Sequence, residues 1–240
     1  MFQIIKDHPY WLTFAFGVGT VLASEIFLLG IKYVRKRKLQ IHEVIMFNDQ
    51  SEACATEHMF RDELHQEINC SNKFCSVRNL ARIIQQIDKA AYSIDIAIYT
   101  FTNIALMTAI ERALKRGVIV RIITDREMAF SSGSKIACLA PYGVPVRGPD
   151  STFMMHHKFC IIDGEARIKE IMKMNGRKYL ALPYCSILIN GSVNWTRQGF
   201  GGNWENCTIT SDKLLTEKYQ EEFLNLWKSF DKSGKFPTVA

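Results

Sequence analysis

Little in this sequence is monotonous. The chain of 240 residues shows no internal repeat, and with 22% charged and 11% aromatic residues it is neither disordered nor low in complexity. Cysteine is scarce: seven thiols are too few for a disulfide scaffold, and an odd number leaves one unpaired. A surplus of one charge is also missing from most of the chain. Thirty Lys and Arg face 24 Asp and Glu, but residues 1–38 hold +4 of the net +6, and the rest carries only +2. Net charge alone is therefore no argument for a nucleic-acid partner. The chain does have 48% hydrophobic residues and the length for one domain with an appendage, ample for a core.

The longest hydrophobic run is Pro9–Ile31, PYWLTFAFGVGTVLASEIFLLGI, which holds one charge, Glu25. About 20 apolar residues cross the hydrocarbon layer of a membrane, so residues 1–38 are expected to be a transmembrane signal anchor with a basic flank. Tyr10, Trp11 and Tyr33 suit the two interfaces. A cleaved signal peptide has a shorter run and a small-residue cleavage site, whereas this run stops against KYVRKRK. Lys32, Arg35, Lys36, Arg37 and Lys38 follow the run, while Lys6 and Asp7 before it cancel. The positive-inside rule then predicts a cytosolic C-terminal part. Such an anchor resembles those of the mitochondrial outer membrane, and the charge pattern fits the endoplasmic reticulum as well. Ala15, Gly19 and Ala23 line one face with small residues, a pattern that lets two helices approach.

Residues 49–76 are polar and lack an apolar period. Within them Cys54, His58, Cys70 and Cys75 are spaced C-x3-H-x11-C-x4-C, and His65 is an alternative imidazole. Three thiolates and an imidazole suit tetrahedral, structural zinc, and a reducing compartment favours metal over disulfides. Cys138, Cys160, Cys185 and Cys207 lie in apolar runs and are expected to be core residues.

Beyond residue 76, helical and strand periods alternate. Helices are predicted over Ser76–Ala91, Asn103–Arg116, Ser134–Leu139 and Leu214–Phe230. Strands are predicted over Ser93–Thr100, Val118–Thr124, Pro145–Val146, His157–Asp163 and Cys185–Asn190. This order argues an α/β sandwich built on a central, mixed sheet with helices on both faces.

The chemistry concentrates late in the chain. His156, Lys158 and Asp163 form H-x-K-x4-D; Gly191–Thr196 reads GSVNWT; Asn203–Asn206 reads NWEN. On a strand, residues 156 and 158 face the same way, so both can meet one phosphate, while His157 points oppositely. A neutral imidazole is a workable nucleophile, and Lys158, Ser192 and Asn194 supply charge and donors for phosphoryl oxygens. Glu205 is placed to hold the second nitrogen of His156. Arg121, Arg126, Lys135, Arg147 and Arg197 are candidate contacts to a phosphate backbone.

Together these motifs resemble the phospholipase D superfamily, nearest its mitochondrial branch with a single H-x-K-x4-D that acts in piRNA biogenesis. The resemblance covers nearly the whole chain. It implies a phospholipase-D-like domain over residues 77–240 and a phosphohistidine intermediate formed without a catalytic metal. His156 is then the nucleophile, Lys158 and Asn194 bind phosphate, and Asp163 completes the motif, expected to support the strand turn rather than touch substrate. It also implies that Cys54, His58, Cys70 and Cys75 hold zinc. The expected activity is a single-strand-selective endoribonuclease that cuts piRNA precursors to leave 5′-phosphate ends at the mitochondrial outer membrane. The alternative is a cardiolipin hydrolase, and a third reading is a membrane scaffold without activity. Because the chain has one such histidine motif where the reaction calls for two, a homodimer is expected. The chain departs from many relatives in an insert, residues 164–184, with Arg167, Lys169, Lys173, Arg177 and Lys178. It reads either as a basic flap over the groove or as a solvated loop.

Overall fold

The computed structural model describes residues 9–38, 40–59, 70–177 and 185–230. His65, Lys178 and the segment before Pro9 lie outside the described residues, as do the side chains of Trp11, Ala15 and the basic flank Lys32–Lys38. Residues 1–40 and 41–240 are separate units. Among its described residues the first unit holds one helix, α1 (Pro9–Lys38), of 30 residues. Its described apolar side chains, including Phe14, Phe16, Val21, Ile26, Phe27 and Leu29, are exposed. Among the described residues, however, no helix is long and apolar enough to cross a membrane. The expected helix is present; the expected span is not established by it.

The second unit is built on a seven-stranded sheet in the order β1-β7-β6-β5-β2-β3-β4. The strands are β1 (His42–Phe47), β2 (Ser93–Ile98), β3 (Ile119–Thr124), β4 (Val146–Arg147), β5 (Lys158–Ile162), β6 (Ile187–Gly191) and β7 (Glu205–Thr210). β2, β3 and β4 run parallel, and the remaining pairs are antiparallel. The parallel part follows from the crossovers: α4 (Ile104–Lys115) carries the chain from β2 back to the start of β3. Asn103 caps α4 by accepting the Leu106 N–H at 3.0 Å, and Gly117, at φ 86°, supplies the left-handed residue that ends it.

Helices cover both faces. On one, Leu80, Ile83 and Ile87 of α3 (Ser76–Asp88) and Leu106 and Ile110 of α4 pack on Ile94, Ile96, Ile98 and Ile122 of the sheet. On the other, Phe223 of α8 (Lys213–Ser229) packs on Ala97, Ile123, Phe159, Ile161 and Leu188. The alternation of β2 and β5 thus feeds two cores, and the predicted mixed sandwich is the observed one.

Two strands were not foreseen. β1 and β7 pair with each other at one side of the sheet, His42 opposite Thr210 and Phe47 opposite Glu205. Their outward faces, Val44 and Met46 on β1 and polar residues on β7, leave only short inward runs such as Ile45 and Phe47. The insert also differs from expectation. It is neither flap nor loop over its first half but a helix, α6 (Glu165–Met174). Arg167 is buried and paired with Glu170 at 2.6 Å, and Lys169 pairs with Glu165 at 2.7 Å, so those charges are spent internally. Of the four other cysteines, Cys160 and Cys207 are buried as expected, Cys185 is half-buried, and Cys138 is exposed, contrary to expectation.

Arg121 is likewise no surface contact. It is buried on β3 in a bidentate pair with Asp95 of β2, at 2.7 and 2.6 Å, and Gln220 of α8 donates to the same carboxylate at 2.9 Å. Its guanidinium lies 5.0 Å from the Phe223 ring and 5.1 Å from that of Trp227. The pair therefore fastens α8 to the sheet. Removing one partner strands a buried charge, so Arg121→Ala should lose about 3–5 kcal/mol in urea unfolding. A loss below about 1 kcal/mol would contradict this role.

Candidate active site

The catalytic motif begins just before a strand rather than within one. β5 starts at Lys158, opposite Ile98 of β2, and His156 lies two residues earlier in irregular chain. The expected alternation still operates. His156 and Lys158 share one side, with the lysine Nζ 3.2 Å from Nδ1 and 3.3 Å from Nε2 of the ring. His157 turns away and meets the Phe159 ring edge-to-face at 5.6 Å. Lys158 also donates to the His156 carbonyl at 2.9 Å.

Partial burial holds the His156 pKa below the ordinary imidazole value; the Lys158 and His157 charges add to that lowering, and Asp125 opposes it. Burial lowers the Lys158 pKa too, with Glu205 opposing. The lowering favours the neutral ring over the imidazolium. Tyr99, the residue after β2, lies against the His156 ring at 4.7 Å between centroids, and Lys158 sits 5.4 Å over its face.

The second motif leaves β6 at Gly191. Hydrogen bonds staple it to the exit of β2: Trp195 N–H donates to the Thr100 carbonyl at 3.1 Å, and Thr102 N–H to the Trp195 carbonyl at 2.9 Å. Gly191 is required here, since a Cβ would lie 2.1 Å from the Asn206 carbonyl oxygen of β7. That approach brings Ser192 to Glu205. The serine hydroxyl donates to one Glu205 carboxylate oxygen, Asn203 donates to the other at 3.0 Å, and Asn206 N–H donates to the serine oxygen at 3.1 Å. Asn194 keeps a buried side-chain oxygen without a hydrogen-bond partner among the described residues. A polar loop beside an imidazole and an ammonium is an arrangement suited to phosphoryl transfer.

The chain is similar to known proteins. The family model described as "Cardiolipin synthase, PLD-like domain" matches residues 83–227. The chain belongs to the phospholipase D superfamily. A Drosophila melanogaster protein named mitochondrial cardiolipin hydrolase is 49% identical over 236 residues, 95% of this chain and 93% of its own. One of the same name from Danio rerio is 32% identical, covering 90% of this chain and 86% of its own. These place the chain in the Zucchini-type branch of the superfamily, and make it a phosphodiesterase. Among solved structures, NucT from Helicobacter pylori superposes with TM-score 0.54 at 22% identity, covering 79% of this chain and 97% of that one. Nuc from Salmonella typhimurium, a phospholipase D family member, gives 0.52 at 24%, covering 79% and 95%. Both likenesses concern the fold.

Within this phospholipase D frame several expected roles move. Glu205 makes no hydrogen bond to His156; it is held by Ser192 and Asn203. Asp163 lies past the far end of β5, roughly 16 Å along the strand from Lys158. There it accepts the N–H groups of Ala91, Tyr92 and Ser93 at 2.9, 2.7 and 2.9 Å, and adopts φ 52°, which aspartate tolerates. Its task is to join the end of β5 to the start of β2. Arg126 pairs with Asp150 at 3.0 Å, and Arg147 stacks on Trp227 at 4.2 Å and donates to the Trp227 carbonyl. Both cations are thus engaged within the fold. Arg197 opens a short helix, α7 (Arg197–Gly201), next to the GSVNWT loop. The sequence reading missed Tyr99 and Asp125. Tyr99 follows a strand that points at the motif, but nothing in its own residue type marks it.

Away from this site, Cys54, His58, Cys70 and Cys75 bring their ligand atoms within 4.8 Å of one another, a group able to hold a metal ion. Cys54 ends α2 (Asp49–Cys54), His58 sits in the π-helical turn that follows, and Cys75 precedes α3. Cys54 and Cys70 sulfurs lie 3.7 Å apart, and His58 Nδ1 lies 3.3 Å from the Cys75 sulfur. A tetrahedral ion with metal–sulfur bonds of about 2.3 Å needs a sulfur separation of roughly 3.8 Å. The donors fit. Asn72 supports them, its amide donating to the Cys54 sulfur at 3.1 Å, as outer partners of metal ligands do. Elemental analysis should find one metal per chain, and Cys70→Ser should lose it and lower the melting temperature. Wild-type protein that holds no metal, with the variant equally stable, would contradict this assignment.

Proposed function

We propose that this phosphodiesterase is a homodimeric, single-strand-selective endoribonuclease acting on piRNA precursors at the mitochondrial surface. The observation that carries the chemistry is the Lys158 ammonium 3.2 Å from the His156 ring. In the proposed reaction a His156 nitrogen attacks phosphorus, and the bond to the 3′ oxygen of the leaving nucleotide breaks as that oxygen takes a proton. Water then attacks the phosphohistidine, the P–N bond breaks, and a 5′-phosphate is released with the ring regenerated. Lys158, with Asn194 and Ser192, binds the phosphoryl oxygens. No step uses a 2′-hydroxyl, so single-stranded DNA is cut too, and no step calls for a catalytic metal. Structural zinc is the ion proposed for Cys54, His58, Cys70 and Cys75.

Two proton-handling groups are needed, one to attack and one to protonate the leaving oxygen. His157 is spoken for by Phe159, and the chain has no second motif. A two-fold dimer that brings His156 of each protomer to one phosphate supplies both. The anchor reading is retained in the same sense: α1 exposes its described apolar side chains, and relatives are named mitochondrial.

Cardiolipin hydrolysis to phosphatidic acid is the second reading. It is favoured by the name shared by the relatives and by Phe153, Met154 and Trp204, exposed apolar residues adjoining His156 and Glu205 in the chain. Those aromatics serve RNA equally, as surfaces on which bases stack. Full-length protein in detergent, incubated with labelled single-stranded RNA and with cardiolipin, separates the two. RNA cleavage is expected, and equal mixing with His156→Ala before dimer exchange should leave about a quarter of the activity, since only wild-type pairs work. Cleavage of lipid but not RNA would overturn the substrate; activity proportional to the wild-type fraction would overturn the shared site.

A further inference from the structure

His156 poses a positioning problem that the motif residues do not solve. Its backbone lies outside the sheet ladder, and Glu205, the carboxylate expected to orient it, is held elsewhere. Another carboxylate is present. Asp125 is 7% exposed at the end of β3. One of its oxygens accepts the Glu127 and Met128 N–H groups at 3.1 and 3.4 Å, capping the short helix α5 (Arg126–Ala129). The other accepts the Met155 N–H at 3.2 Å, one residue before the nucleophile. The Met155 side chain is itself buried against Phe159 and Phe223. Asp125 therefore ties the segment that carries His156 to the end of a central strand.

We propose that Asp125 is the positioning carboxylate of His156: it fixes the backbone that presents the ring and sets a negative charge near it. This rests on the phosphohistidine reading above. Two consequences follow. Geometry comes first, because a displaced nucleophile loses near-attack alignment, and about 1 Å can cost roughly a hundredfold in rate. Charge comes second. The groups around His156 are the Lys158 ammonium from β5, the neighbouring His157, the Tyr99 phenol at the end of β2, and Asp125, with Glu205 acting on Lys158. Burial, Lys158 and His157 disfavour the imidazolium, and Asp125 favours it. In the dimer one ring must be neutral to attack and the other charged to donate. A carboxylate that offsets part of the lowering keeps the donating form accessible near neutral pH.

The sign of the effect is fixed. Removing the negative charge lowers the His156 pKa further, so the rate profile moves to lower pH. The test uses full-length protein in detergent with bis(p-nitrophenyl) phosphate as probe, comparing wild type, Asp125→Asn and Asp125→Ala. Asparagine removes the charge and keeps one acceptor, enough for the α5 cap or for the Met155 N–H but not for both, since its NH2 donates. Asp125→Asn should remain folded, move the pH profile acidward, and lower kcat with KM changed less than about twofold. Asp125→Ala should lower kcat further, by roughly tenfold or more, through lost alignment. An Asp125→Asn enzyme with unchanged pH profile and kcat would overturn the proposal. Wild type that forms no covalent His156 adduct would instead overturn the reading beneath it, which keeps the two failures apart.

Discussion

The constraint on which this structure turns is the closeness of Lys158 to His156. Partial burial penalises protonation of the imidazole, and the ammonium within hydrogen-bond distance adds to the penalty. The neutral ring is favoured, as the proposed attack on phosphorus needs. Holding two such groups together costs free energy, and the sheet supplies it. Lys158 opens β5, which is hydrogen-bonded on both sides, and Tyr99 arrives from the neighbouring β2 to lie on the ring. The second half of the site depends on the close approach of Gly191 to β7, which sets Ser192 against Glu205.

Some of this was legible in the sequence because periodicity reports burial. β2 is buried at every position and β5 at all but its first, and their β-branched residues announce them. The same-side placement of His156 and Lys158 followed from the period of two, even though His156 lies just outside the strand. The cluster of Cys54, His58, Cys70 and Cys75 was legible because thiols and imidazoles are few and these four fall in two close pairs. β1 and β7 were not, since their exposed faces break the apolar pattern.

Charges were the least legible feature. Arg121, Arg126 and Arg147 look alike in a sequence, yet one is buried against Asp95, one pairs with Asp150, and one stacks on Trp227. Each partner lies more than 20 positions away, beyond the reach of local spacing. The same holds for Asp125, whose link to Met155 spans 30 positions. The carboxylate expected at the reacting histidine, Glu205, proved to hold another part of the frame, while an unremarked one holds the histidine's own segment. Motifs name the groups that touch substrate; the groups that aim them are fixed by topology.

The central claim is that His156 itself becomes bonded to phosphorus. It is tested most directly by mixing full-length protein with a 32P-labelled phosphodiester, quenching in alkali within a turnover, and mapping the labelled peptide. A P–N bond survives alkali and is lost in acid, so the account predicts acid-labile label on the peptide containing His156 and none in His156→Ala. Acid-stable label on Ser192 in a parallel acid quench, or turnover with no covalent label at any quench time, would contradict it.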